Sequence, residues 1–181
     1  HGIFNKTSIP ILCSSIKKNV YKVADSQVAT RWGNITDFKG FDLLTPNEKE
    51  ARFSLADQDS SISDLTRRLT QETKLKNLIL KLGERGVFSS GKKYVSGFAL
   101  PSFSNRVVDP VGTGDALLAY ATLSLLSTKS ILIASILGSF AAACECEKEG
   151  NIAIGPEDII KKINLVEELS SYKTTSKTWK L

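Results

Sequence analysis

The sequence predicts an α/β fold in three layers, a sheet with flanking helices on both faces. Three observations carry this. Short apolar runs of strand length recur at 20–24, 41–44 and 77–82, each bounded by turn residues. Stretches with helical periodicity alternate with them. Beyond residue 112 come three helical runs. In the first, Ala116, Leu117, Leu118, Ala119, Tyr120 and Ala121 are apolar nearly all round, so that helix must be buried.

The elements follow in order. Residues 6–18 carry a helical stripe of Ile9, Leu12, Cys13 and Ile16, interrupted early by Pro10. Val20 to Ala24 reads as a short strand, and 26–41 as a polar loop with Gly33, Asn34 and Gly40. Phe41-Asp42-Leu43-Leu44 is a second strand, stopped by Thr45-Pro46. Residues 47–56 and 63–73 are helical. Asn77-Leu78-Ile79-Leu80-Lys81-Leu82 is the clearest strand, and Gly83-Glu84-Arg85-Gly86 turns the chain after it. Two runs flanking Ser90-Gly91-Lys92 predict an antiparallel hairpin. The helices at the end are expected at 114–127, 130–147 and 156–169, with a flexible tail over 170–181. The sheet is expected to be largely parallel, with an open edge.

The chain has 181 residues, 41% hydrophobic and 24% charged, which suits one soluble domain with a real core. It begins at His1 and contains no methionine. The expectation is therefore one portion of a longer protein. The net charge of +5 is scattered, and no nucleic-acid motif is visible. The run from Ile131 to Cys144 is too short to span a bilayer. Three cysteines without framework spacing and no visible signal peptide point to a reducing, cytoplasmic setting. The single histidine is terminal, which argues against a histidine-based triad or zinc site.

The densest chemistry lies in Asp109-Pro110-Val111-Gly112-Thr113-Gly114-Asp115, directly ahead of the buried helix. Gly112 and Gly114 lack a Cβ and let an anion approach the backbone. The helix start adds unpaired N–H groups and a positive dipole end. Asp115 then stands in the first turn, placed to take a proton from a hydroxyl. The plainer alternative is a glycine-containing loop with Asp115 merely favourable at the dipole. The segment is not a Walker loop. Leu117 at the third glycine position disfavours a dinucleotide-binding oxidoreductase.

Two other patterns bear on function. Asn47 and Glu50 are three apart at a helix start, which fits a capping box and also fits a polar pair facing hydrated Mg²⁺. Lys81-Leu82-Gly83-Glu84-Arg85-Gly86 ends the best strand, where ligands of open α/β sheets gather.

Together, in this order, these segments resemble the carboxyl-terminal portion of the PfkB, or ribokinase-like, carbohydrate kinases, over about residues 20–169. Within the family the chain is most similar to the sugar-kinase part of ADP-heptose synthase-like proteins. His1-Gly2 and the Gln27- and Asn34-containing loop carry that finer likeness. The resemblance implies a ribokinase-like sheet truncated at its amino-terminal side, with residues 1–181 forming the nucleotide-side portion of one kinase domain.

It further implies ATP and Mg²⁺ as cofactors, a monovalent cation such as K⁺, and a sugar or sugar-phosphate substrate. Asp115 would be the catalytic base. Gly112, Thr113 and Gly114 would form the anion hole. Lys81, Gly83 and Gly86 would line the nucleotide. Asn47 and Glu50 would organise Mg²⁺ through water, and Asp109 and Val111 would border the monovalent cation. Thr113 stands where the family has a small residue, and Lys81 where Thr or Ser is frequent. The whole protein would phosphorylate a hydroxyl, while this portion alone would be inactive. A homodimer is compatible with the open sheet edge. The alternative is a nucleotide- or phosphate-binding module without turnover.

Overall fold

The computed structural model describes residues 4–25, 35–150 and 152–177. The loop at 26–34 and His1-Gly2, used above for the finer likeness, lie outside the described residues.

The sheet has five strands in the order β1 (Val23–Ala24), β2 (Leu43–Leu44), β3 (Asn77–Lys81), β4 (Val87–Gly91) and β5 (Tyr94–Leu100). The β1–β2 and β2–β3 pairs are parallel; the β3–β4 and β4–β5 pairs are antiparallel. The expected largely parallel sheet is thus mixed. The reason is connection length. Gly83–Arg85 forms only a 3₁₀ turn between β3 and β4, and a parallel return needs a crossover of a dozen or more residues. The hairpin at residues 91–94 forms as its sequence predicts.

Period-two alternation sends neighbouring residues to opposite faces. Leu44, Leu78 and Leu80 join a core with Ile9, Ala51, Leu65 and Leu69, on the side of α1 (Ser8–Ser15), α2 (Glu48–Leu55) and α3 (Ile62–Thr73). Leu43, Ile79 and Val87 join the opposite core with Leu117, Ala121, Leu125 and Ala134, from α4 (Thr113–Thr128) and α5 (Ile131–Cys146). A third cluster centres on Phe140, Cys144 and Ile159 and attaches α6 (Pro156–Lys177) to α5. These are the three layers.

Local chemistry sets the boundaries. Pro10 falls in the first turn of α1, where its missing N–H interrupts nothing. Ser61 caps α3 through the Asp64 N–H, and Ser130 caps α5 through the Ile133 N–H. Gly138 lets α4 and α5 close up, since a Cβ there would lie 3.0 Å from the Leu117 carbonyl oxygen. Helix α6 runs to Lys177 rather than ending at 169. Neither glycine nor proline follows Pro156 in the sequence, so no backbone breaker stops it. Among the described residues, no helix is long and apolar enough to cross a membrane.

Candidate functional site

The carboxyl ends of the parallel strands carry the site. β3 ends at Lys81, whose N–H donates to the Pro46 carbonyl at 2.9 Å. A parallel bridge pairs Asn47 with Lys81. The start of α2 is thereby fixed beside the end of β3. At that start the capping box is complete: Asn47 N–H donates to Glu50 Oε2 at 2.7 Å, and Glu50 N–H donates to Asn47 Oδ1 at 2.9 Å. Glu50 is buried. Capping therefore engages one oxygen from each residue of the proposed Mg²⁺ pair. Among the described residues, no group of three or more metal-ligating side chains converges. This donor set fits a divalent ion held through water and phosphate oxygens, not one gripped directly by protein.

After Lys81 the chain turns through Gly83 and Gly86, both with positive φ, of 63° and 86°. The Leu82 N–H donates to the Gly86 carbonyl at 2.8 Å and closes the turn. Gly86 packs against the chain leaving β5. A Cβ there would fall on the Leu100 carbonyl oxygen and come within 2.5 Å of the Pro101 carbonyl carbon.

The glycine-rich loop enters α4 at Gly112, the N-cap, with φ 85° and no side-chain cap. The N–H groups of Val108 and Asp109 both donate to the Cys146 carbonyl, at 2.7 and 3.1 Å, pinning the loop to the end of α5. Asp109 Oδ1 accepts from the Val111 N–H at 2.9 Å, so this carboxylate shapes its own turn. Val111 is exposed. Asp115 stands exposed in the first turn of α4.

Gly114 is where strand and helix meet. A Cβ on it would lie 3.1 Å from Lys81 Nζ and 3.2 Å from Asp25 Oδ2. Lys81 Nζ and Asp25 Oδ2 are themselves paired at 2.5 Å. Asp25 was not among the residues that sequence reasoning selected. The available signal was its place directly after β1, at a carboxyl strand end.

A cavity of about 590 Å³ opens beside this junction, within the range of small-molecule sites. Lys81, Gly83, Gly86 and Thr113 border it, facing Ser139 and Cys146 of α5. Thr113 Oγ1 and Ser139 Oγ are buried and have no hydrogen-bond partner among the described residues. Of the five buried hydroxyls unpaired among the described residues, these two line the cavity, where a ligand would supply partners. Ser139 was also missed by sequence reading, since a serine inside an apolar helix carries no signal of its own. Of the remaining predicted residues, Gly112, Gly114 and Asp115 stand in the N-cap and first turn of α4. Asn47 and Glu50 lie at the start of α2, and Asp109 and Val111 in the loop. None of these seven borders the cavity.

Beyond the loop, Glu147 Oε1 accepts from Lys162 Nζ at 2.6 Å and from the Asn105 N–H at 2.6 Å. Burial raises the Glu147 carboxyl, but the bond from Lys162 and the Asn105 N–H outweigh it and bring the group below its ordinary value.

With this geometry in view, the chain matches the pfkB family carbohydrate kinase pattern over residues 12–158. The chain belongs to that family. Its relatives include the bifunctional protein HldE of Campylobacter jejuni. That protein is 29% identical over 177 residues, covering 88% of this chain and 37% of the relative. HldE of Geobacter metallireducens is 29% identical over 136 residues, covering 74% of this chain and 28% of its own length. The chain therefore spans about a third of the curated relatives it matches. Among solved structures, ribokinase from Thermotoga maritima superposes with a TM-score of 0.72 at 23% identity, covering 87% of this chain and 53% of that one. Phosphofructokinase-2 from Escherichia coli, in complex with substrates and products, gives 0.76 at 17% identity, covering 92% and 54%. These likenesses establish a ribokinase-like fold.

Proposed function

We propose that this chain forms the nucleotide side of an ATP-dependent kinase that phosphorylates a hydroxyl of a sugar or sugar phosphate. One observation carries the reading: the uncapped start of α4 meets Lys81 beside a cavity with two unpaired buried hydroxyls. Family membership supplies the reaction class.

The roles follow from position. The backbone N–H groups of Gly112, Thr113 and Gly114 stabilise charge on the moving phosphoryl group, as a helix start can. Asp115, exposed on the first turn, accepts the hydroxyl proton. In a loose phosphoryl-transfer transition state that proton leaves late, so the transfer asks little of the base. Lys81, Gly83 and Gly86 border the nucleotide. Glu50, held by Asn47, would hold Mg²⁺ through water, and Asp109 and Val111 would border a monovalent cation. Bound Mg²⁺ and ATP would supply the phosphoryl group and neutralise part of its charge.

The test uses the native protein that carries this chain, with ATP and a panel of sugars and sugar phosphates. Asp115→Asn keeps size and position but cannot take a proton. Its kcat should fall by about 10²- to 10⁴-fold, with ATP affinity changed far less. Unchanged kcat would remove Asp115 as the base. Absence of ATP binding by the wild type would remove the kinase reading in favour of a module that binds some other phosphate.

A further inference from the structure

The ion pair at the start of α4 poses an electrostatic problem. Lys81 Nζ lies 3.1 Å from where a Gly114 Cβ would stand, against the first turn of a 16-residue helix. That helix end carries about half a positive charge. An ammonium held against it is disfavoured unless an anion lies beside it. Asp25 provides one. Its Oδ2 is 2.5 Å from Lys81 Nζ and would be 3.2 Å from a Cβ on Gly114, and both side chains are about four-fifths buried, with exposures of 19% and 21%.

The pair is assembled at long range. Asp25 follows β1, Lys81 ends β3, and β2 runs between them. The two side chains reach across the carboxyl end of β2 and meet over α4. The Lys81 backbone is fixed by its bond to Pro46 and its bridge to Asn47. Only its side chain is left to move. A carboxylate thus fills the position that the helix start, the ammonium and the missing Gly114 Cβ together prepare for an oxyanion.

We infer that Lys81 is the cation that meets the terminal phosphoryl group of a bound nucleoside triphosphate, and that Asp25 is an internal stand-in for that group. The inference rests on the kinase reading of this site. In the free chain Asp25 neutralises Lys81. A terminal phosphoryl group arriving at α4 takes over the ammonium, and the carboxylate is displaced from the helix start. Lys81 then distinguishes a triphosphate from a diphosphate, because the diphosphate leaves the ammonium with Asp25.

The experiment is calorimetric titration of the chain with Mg²⁺–ATP and with Mg²⁺–ADP, for wild type, Lys81→Met and Asp25→Asn. Thermal unfolding checks that each is folded. Lys81→Met should weaken ATP binding by about tenfold or more, the scale of one charge-assisted hydrogen bond. ADP binding should change by less than about threefold. Asp25→Asn removes the competing anion and should leave ATP binding unchanged or tighter. Equal losses for both nucleotides in Lys81→Met would mark the pair as a structural strut and overturn the inference. So would a loss of ATP affinity in Asp25→Asn as large as that in Lys81→Met. If Lys81→Met fails to fold, Asp25→Asn still decides, because a strut fails when cut from either side. Wild type that binds neither nucleotide removes the kinase reading and this inference together. Wild type that binds ATP, with a Lys81→Met variant that keeps the ATP-to-ADP preference, removes the Lys81 assignment alone.

Discussion

Gly86→Ala and Gly83→Ala make a matched pair that tests how the turn after β3 is built. Both glycines have positive φ. Around Gly83 there is nothing within 4 Å of a built Cβ, so alanine meets only the backbone cost. That cost is about 1–2 kcal/mol, offset by roughly 0.4–1 kcal/mol from a stiffer unfolded chain. Gly86 is different. Its Cβ would fall on the Leu100 carbonyl and lie 2.5 Å from Pro101 and 2.6 Å from Ser102, all backbone atoms. No rotamer change relieves that overlap. Its φ of 86° with ψ of −131° is also a glycine conformation, costing another residue about 1–3 kcal/mol. Displacing packed neighbours adds about 1–3 kcal/mol. Gly86→Ala should therefore destabilise by about 2–5 kcal/mol after the same offset. At about 2–4 °C per kcal/mol for a chain of this size, Tm should drop by roughly 4–20 °C. Gly83→Ala should stay within about 6 °C of wild type. Thermal unfolding followed by circular dichroism reads both. Equal Tm values for the two variants would refute the claim that the turn packs against the end of β5 at Gly86.

Three further outcomes follow from the same geometry. Gly114→Ala gains about 1 kcal/mol of helix propensity but pushes a methyl to 3.1–3.2 Å from Lys81 and Asp25; stability should hold within about 1 kcal/mol while Mg²⁺–ATP affinity falls, and a variant with undiminished affinity would show that the ion pair does not crowd this position. Asn47→Ala loses the cap and about 1 kcal/mol, whereas Asn47→Asp keeps an acceptor and should unfold close to wild type, as urea titration can check. Glu147 titrates below its ordinary value, so its contribution is present above the unfolded carboxyl pKa of about 4.3 and is lost as pH falls through the lower folded value. Glu147→Gln should accordingly lower Tm at pH 7, with the gap to wild type closing on acidification through that range, and a gap independent of pH would contradict the pairing with Lys162.

What the sequence disclosed is what short-range rules control. The capping box at Asn47 and Glu50, the hairpin after β4 and the glycine entry to α4 each depend on residues within about four positions. Each is found where its pattern lies. The strand boundaries were less legible. Val20 to Ala24 reduces to Val23–Ala24, because pairing with β2 engages only those two residues. The antiparallel β3–β4 pairing could have been read from the four-residue turn at 83–86, yet α/β alternation earlier in the chain suggested a largely parallel sheet. Asp25 was invisible for a different reason. Its partner lies 56 residues away, and nothing local marks an aspartate after a short strand. The same holds for Ser139, whose hydroxyl matters only because α5 turns it towards a cavity wall.

The site's rigidity has an unexpected source. The loop proposed to supply the anion-binding amides is fastened largely through α5. Its entry is fastened to the last carbonyl of α5 through the Val108 and Asp109 N–H groups. One residue further along, Glu147 ties Asn105 to Lys162 of α6. Its exit is α4 itself, which lies close along α5 at Gly138. Three of the four constraints on the loop thus run through α5. Lys81 and Asp25, in contrast, are positioned by β3 and β1. The proposed phosphoryl position is consequently bordered by two bodies, the strand ends on one side and the α4–α5 pair on the other. They touch at Gly114, where the absence of one methyl group sets how closely the charges approach the helix start. A change in how α4 packs on the sheet would alter that approach without touching any charged residue. The core residues Leu43, Ile79 and Leu117, which bind these two bodies together, would therefore set the geometry of the proposed phosphoryl site as well as contribute to stability.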